Sequence, residues 1–303
     1  MRWIKLGHIF TPAIQHPKLL THAANPLAVH LEGDVYRVFF SGRDAQNRSS
    51  VGYVDIDMVG RKVTGVCDAP LFEHGETKGF YSHGVSIGNC YNHAGKRYIL
   101  FMGWHIPDGG HWRGEVGRLE LSDALQLRLT PPTLFMPIDA DDPISLSYPW
   151  VMTISDGSLR MWYGTTHTWD AGNGEMVHTI HQASSLNGEV WHKEGLAIPC
   201  VVGKAQAFSR PTVWRDKSGC YHMWYSVRSG DGTPYRIGYA YSSDGKIWQA
   251  RNDDAGIDVA SDGWDANMIC YPFVFEHKNH VYMLYNGDGF GKTGFGLAVL
   301  DND

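Results

Sequence analysis

Charge is scarce in this sequence. Asp, Glu, Lys and Arg make up 19% of its 303 residues, acids outnumber bases 32 to 26, and the formal net charge is −6. With no basic excess to hold a polyanion, nucleic acid and anionic membranes are excluded as main partners. Long apolar runs are also missing: none approaches the roughly 18 residues of a membrane helix, so no span is expected. Cysteine is sparse. Cys67, Cys90, Cys200, Cys220 and Cys270 are odd in number and lack CxxC spacing, which predicts reduced, mostly buried thiols in a cytoplasmic protein. The opening MRWIKLGHIFTPAIQHP is broken by Lys5, His8 and Pro12, so it is not read as a secretory signal. The glycosylation match Asn47-Arg48-Ser49 is then idle.

Aromatic residues, by contrast, are abundant, with 11 Trp, 15 Tyr and 12 Phe, and they recur in a pattern. A short aromatic strand ending in a Gly-rich polar loop appears as YRVFFSGR (36–43), RYILFMGW (97–104), LRMWYGTT (159–166), YHMWYSVR (221–228) and YMLYNGDG (282–289). Its anchors Phe40, Phe101, Tyr163, Tyr225 and Tyr285 lie about 61 residues apart, the mark of one unit copied five times. The period leaves no room for a second domain, so residues 1–303 read as one.

Within each unit an apolar run opens the pattern. It usually holds an X-Pro (Asn25-Pro26, Tyr148-Pro149, Arg210-Pro211, Tyr271-Pro272), and Pro there suits the first residue of a strand. A tight polar turn, the aromatic strand, a long Gly-rich loop and a third strand follow. Units three and four add Asn187-Gly188 and Asp244-Gly245 turns into a fourth strand. Four antiparallel strands, five times over, predict an all-β five-bladed β-propeller. The last unit ends one strand short, so Arg2–Leu6 is expected to supply its outer strand and close the ring.

In such a meander the start of strand A and the B–C loop share one face. That face would collect Asn25, His83, Asp142, Ser147, Gln206, Arg210, Asp265 and Asn267 from strand starts. The loops would add Arg43, Asp44, Trp104, His167, Trp169, Arg228, Asn286 and Asp288. Tryptophans there could stack on sugar rings, and Arg210, Arg228 and Arg236 could grip an anionic group. His178 and His181 point to opposite faces of a strand, so they do not form a chelating pair and no metal ligands are assigned. An axial Ca²⁺ or other structural ion is left open; no cofactor is expected. The run Gly289–Gly294 satisfies GxGxxG, but a strand rather than a helix follows, which rejects nucleotide-fold binding.

The phrases FFSGRDAQNRSSVGYVDID, SRPTVWRDKSGCYHMWYSVR, YRIGYAYSSDGKIW and GIDVASDGWDANMICYPFVFEHKNHVYMLYNGDGFGKTGFGLAVL resemble the five-bladed propeller glycoside hydrolases: arabinanases, xylosidases, fructosidases and mannoside phosphorylases. They are more similar still to glycosidase-like bacterial propellers found with surface-polysaccharide genes. The resemblance covers nearly the whole chain. It implies a carbohydrate-active protein whose funnel takes a sugar, nucleotide sugar or oligosaccharide. It also implies a base or nucleophile in blade one, a helper Asp near blade three and an acid near blade four. Asp142 matches the helper, whereas Asn25 and Gln206 stand where the other two would be. Asp44, Asp142 and Asp265 are then the candidate catalytic carboxylates, and the remaining face residues the substrate-binding set. The alternative is a propeller that binds or transfers sugar without those acids. Two carboxyls about 5–9 Å apart across the funnel would favour hydrolysis.

Overall fold

A computed structural model describes residues 1–154 and 156–301. Twenty strands account for the architecture. The first, β1 (Trp3–Phe10), precedes five antiparallel meanders. Unit one is β2 (Thr21–Glu32), β3 (Val35–Arg43), β4 (Ser49–Asp57) and β5 (Lys62–Val66). Unit two is β6 (Gly84–His93), β7 (Lys96–His105), β8 (Arg113–Leu121) and β9 (Leu127–Leu129). Unit three is β10 (Leu146–Thr153), β11 (Leu159–Thr168), β12 (Val177–Ser185) and β13 (His192–Leu196). Unit four is β14 (Ala207–Arg215), β15 (Tyr221–Arg228), β16 (Arg236–Ser242) and β17 (Gln249–Ala250). Unit five is β18 (Cys270–His277), β19 (His280–Asn286) and β20 (Phe295–Leu300), with β1 paired antiparallel to β20 as its fourth strand.

The innermost strands touch in cyclic order: β2 with β6, β6 with β10, β10 with β14, β14 with β18, and β18 again with β2. Burial explains the sequence pattern. The aromatic second strands are covered on both faces, and β11 has eight consecutive buried residues, so they read as unbroken apolar runs rather than alternation. The outer β5 and β13 cover only every other residue, because one of their faces meets water. Phe39, Phe40 and Phe101 are almost wholly buried, each contributing about 1.5–3 kcal/mol from apolar area removed from water.

The X-Pro prolines do not begin strands, as the sequence suggested. Each lies within an inner strand where the register shifts between strands A and B. A bulge leaves the residue unpaired, so the missing N–H of Pro is harmless. The preceding residue takes a left-handed backbone in each case: Asn25 (φ 57°), Tyr148 (φ 35°), Arg210 (φ 48°) and Tyr271 (φ 54°). Asn tolerates this, whereas the other three cost about 1–3 kcal/mol apiece. Unit two has Gly88 beside its bulge, and a Cβ there would come within 2.5 Å of the Pro149 carbonyl.

These bulges turn backbone carbonyls inward, and Arg210 collects them. Its buried guanidinium donates to the carbonyls of Tyr271 and Pro26 (both 2.8 Å) and, at 3.4 Å, to those of Ile87, Gly88 and Pro272. A single cation thus ties unit four to units one, two and five.

Candidate functional site

Above Arg210, a cavity of about 330 Å³ opens on the face that holds the B–C loops, at the lower end of small-molecule site volumes. Its floor is a ring of small residues at one repeat position: Ala24, Ser147 and Ser209, each just before its bulge, and Ser86, two positions before the bulge of unit two, line it, and Cys270 holds the same position in unit five. Asn25, Tyr148 and Tyr271, the left-handed residues, project beside them, and the walls add Trp104, Trp112, Tyr235 and Phe290. Two guanidiniums, Arg43 and Arg228, face the same space. No Asp or Glu is among the described residues that line it.

Of the residues expected on this face, the structure places Asn25, Arg43, Trp104 and Arg228 on the cavity wall. Trp104 is held there by its indole N–H, which donates to Ser49 Oγ at 3.1 Å. Arg228 donates to Glu175 at 2.6 Å and stacks over Tyr235. A shallower outer cleft adjoins the cavity, shares Arg228, Tyr235 and Phe290 with it, and is bordered by Glu175, Asn267 and Asp288. Asp288 there is consumed by loop bonds, accepting from Asn267 N, Met268 N and Asn267 Nδ2. His83 packs beside Trp104, and Trp169 braces Trp112 from outside while stacking on His111. His167 bonds to Thr179 Oγ1 at 2.7 Å. None of these last three residues lines the cavity.

The three aspartates are a correction. None reaches the cavity, because each is committed to the scaffold. Asp44 accepts the backbone N–H groups of Gln46 and Arg48 and pairs with the Arg48 side chain at 2.8 Å, which closes its loop. Asp142 accepts from Tyr163 O–H at 2.9 Å and meets Lys193 Nζ at 2.6 Å, with His181 Nδ1 3.4 Å from its second oxygen. Burial alone would raise its pKa; the hydrogen bonds from His181, Lys193 and Thr165 and the lysine charge hold it well below the usual range instead. Asp265 repeats the arrangement in unit five, with Tyr285 O–H at 3.1 Å and Lys5 Nζ at 2.7 Å. The register is the same in both units: Tyr163 and Tyr285 are the repeat anchors, Lys193 lies opposite Ala183, and Lys5 lies opposite Ala298. An Asp–Tyr–Lys clasp therefore pins strands two and four of each unit to the loop before strand one.

Gln206, Asn286, Arg210 and Arg236 are corrected likewise. Gln206 is fully buried, accepting from Asn173 Nδ2 and Gly203 N and donating to the Glu175 and Met176 carbonyls. Asn286 donates to the Ala23 and Gly294 carbonyls and accepts from Asn25 N. Arg210 occupies the axis, and Arg236 binds the Asn267 carbonyl and Asp258 at the rim.

Several lining residues were missed. The ring Ala24, Ser86, Ser147, Ser209 and Cys270 keeps the 61-residue period, yet of these the strand-start pattern singles out only Ser147. His178, rejected from the sequence as half of a chelating pair, also lines the cavity. Its Nε2 lies 2.6 Å from Ser147 Oγ and its Nδ1 2.7 Å from Thr166 Oγ1. Burial, then the nearby His167, His181 and Arg228, pull its pKa down to about 3. The ring is neutral at pH 7 and too weak a base to activate Ser147. Gly164 makes room for the pair, since a Cβ there would sit 2.1 Å from Ser147 Oγ. Among the described residues no group of three or more His, Cys, Asp or Glu is placed to hold a metal ion.

Comparison with known proteins agrees with this fold. No protein-family profile matches the chain. It is 41% identical over its entire length, and over theirs, to Uncharacterized protein MT1551 and Uncharacterized protein Rv1502 of two Mycobacterium tuberculosis strains. The chain belongs to their family. Among solved structures it is similar to a thermostable family-43 glycoside hydrolase, with TM-score 0.71 and 15% identity over 95% of this chain and 93% of that one. It is also similar to a member of the GH130 family of mannoside phosphorylases, described as containing hydrolases of β-1,2 mannosidic linkages in Candida mannan, with TM-score 0.69 and 13% identity over 100% and 91%. At these identities the likeness is one of fold: the family member described here has the propeller-like architecture of glycoside hydrolases, with its cavity walled by other groups than paired acids.

Proposed function

We propose that this protein is a single-domain, five-bladed propeller of glycoside-hydrolase type that binds a sugar in its central cavity without two-carboxylate hydrolysis. The N-terminal strand closes the ring, and Arg210 takes the place of an axial structural ion. The observation that carries the reading is the wall itself: aromatic faces, hydroxyls, an amide and guanidiniums, with the nearby aspartates locked in clasps. Trp104, Trp112, Tyr148 and Tyr271 offer apolar surfaces for sugar C–H faces, and Ser86, Ser147 and Ser209 offer hydroxyls to ring oxygens and OH groups. Acetal cleavage needs one protonated and one ionised carboxyl on either side of the bond, and no carboxyl among the described residues lines the inner cavity. The glycoside-hydrolase fold of the similar structures supports the ligand class. The five cysteines, all unpaired, suit a reducing compartment, and handling of a surface-glycan intermediate in the cytoplasm is the setting we favour.

Thermal-shift titration against monosaccharides, oligosaccharides and nucleotide sugars tests this, since a ligand of the native state raises the melting temperature by mass action. The expected result is stabilisation by a sugar, lost in Trp104→Ala, with no release of reducing ends on incubation. Glycoside hydrolysis that disappears in Asp142→Asn while the fold persists would restore the catalytic reading.

A further inference from the structure

The two guanidiniums of the cavity differ in one respect. Arg228 is already neutralised by Glu175, at 2.6 Å. Arg43, at the end of β3, makes no ion pair and no side-chain hydrogen bond among the described residues, yet it faces the cavity. A second cation, Lys292, lies near the same neutral histidine, His22. His22 has its pKa lowered to about 4, by burial first and then by the repulsion of Arg43 and Lys292. This concentration of positive charge stands in a chain of net charge −6. Asp44, next in sequence, cannot compensate, because its oxygens are spent on Gln46 and Arg48.

A second, independent feature lies beside it. Asn25 is 2% exposed and lines the cavity, and its Oδ1 is buried with no hydrogen-bond partner. Only its backbone N–H is engaged, by Asn286. A buried acceptor left empty costs about 1–3 kcal/mol. A ligand that brings a hydroxyl donor to Asn25 and an anionic oxygen group to Arg43 would satisfy both at once.

We infer that the cavity selects a sugar carrying an anionic oxygen group, a carboxylate or a phosphate, with that group on Arg43 and a ring hydroxyl on Asn25. This inference rests on the carbohydrate reading above. The planar guanidinium presents paired N–H donors that match either group, and the low-dielectric wall of tyrosines and tryptophans strengthens the contact.

The test is calorimetry on the full chain with glucuronate, galacturonate, glucose 1-phosphate and mannose 1-phosphate, each beside neutral glucose, galactose or mannose, and with inorganic phosphate alone. At least one acidic sugar should bind more tightly than its neutral parent, and whether a uronate or a sugar phosphate does so identifies the group. Arg43→Gln should weaken that binding about 10- to 100-fold, the range expected for a hydrogen bond to a charged group. It should leave the melting temperature of the free protein unchanged, since Arg43 holds nothing in place, and Arg43→Lys should recover part of the loss. Equal binding of acidic and neutral sugars, or full affinity in Arg43→Gln, overturns the anion site while the carbohydrate reading stands. Inorganic phosphate bound without any sugar keeps the anion site and overturns the carbohydrate reading. A panel in which nothing binds overturns both.

Discussion

The clasps of units three and five and the wall of the central cavity are built from the same repeat, yet they use polar groups in opposite ways. Asp142 and Asp265 are buried carboxylates away from the cavity, each with a tyrosine hydroxyl and a lysine ammonium on one oxygen, and the second oxygen of Asp142 has only the His181 ring, 3.4 Å away. Asn25 and Arg43, on the cavity wall, have side chains that make no hydrogen bond or ion pair among the described residues. A buried polar group with its partners supplied by the chain belongs to the fold, and one left without them is available to something else. Here that distinction separates the acids, which a glycosidase-like fold invites one to call catalytic, from the groups that face the ligand space.

The largest expected effect breaks a clasp and a unit together. Removing residues 1–10 deletes β1, exposes the neighbours of buried Trp3 and Phe10, and strips Lys5 from Asp265. Cooperative melting should be lost, as calorimetry would show, and a truncated chain melting at the full-length temperature would refute ring closure. Next is Arg210→Ala, which strands the carbonyls it gathers from three units. Removing one side of a buried charged contact costs about 3–5 kcal/mol, readable from urea unfolding, and a loss below about 1 kcal/mol would deny Arg210 its axial role.

Asp142→Ala should follow at about 3 kcal/mol, because Lys193 and His181 are left facing a void. Asp265→Ala should cost less: the Lys5 side chain is 27% exposed and can rehydrate. Both variants should keep the sugar affinity of the parent protein. Loss of binding without loss of stability in either would erase the distinction drawn between clasp and wall.

How much of this was legible beforehand follows from what a period can and cannot carry. The anchors Phe40, Phe101, Tyr163, Tyr225 and Tyr285 are strand residues buried on both faces, so their spacing exposed the units, and the missing last strand pointed to Arg2–Leu6, within a strand that runs on to Phe10. The same register drew Asn25, Arg43, Trp104 and Arg228 to one face. It did not say which way a residue in a loop turns. Asp142 and Asp265 precede strand A, as a funnel acid would, but their tyrosine and lysine partners come from strands two and four, 20 or more residues away or at the other end of the chain. Nothing local in Asp141-Asp142-Pro143 announces a lysine at 193. The prolines misled in the other direction: as bulge residues they sit within strands, and the residues before them, rather than the loops alone, build the cavity floor.

A pH titration sharpens the comparison at lower amplitude. His178 and His22 are held neutral, with pKa values of about 3 and 4 against an ordinary 6.5. A folded-state value below the unfolded one means the unfolded chain binds the extra proton first, so their contribution is present above pH 6.5 and is lost as pH falls below it. Asp142 is depressed from 3.8, so its contribution survives until the pH drops below about 4. Unfolding free energy should therefore decline in two stages on acidification. His178→Gln should flatten the upper stage, and Asp142→Asn only the lower.

The smallest effect on stability is the most discriminating. Asn25 adopts φ 57° and its side-chain oxygen has no hydrogen-bond partner among the described residues. Asn25→Ala should change the unfolding free energy by no more than about 1 kcal/mol, because the left-handed backbone that Ala resists is offset by deletion of an empty buried acceptor. Asn25→Gly removes that penalty, since glycine takes positive φ freely, and unfolding free energy should stay within about 0.5 kcal/mol of the parent. Both variants delete the same empty acceptor and should weaken acidic-sugar binding equally, by about tenfold for one lost hydrogen bond. If Asn25→Gly binds as well as the parent, the bare carboxamide is a feature of the bulge and not of the site. If it destabilises as much as Asp142→Ala, Asn25 belongs with the clasps, and the line between scaffold and ligand space must be redrawn closer to Arg43.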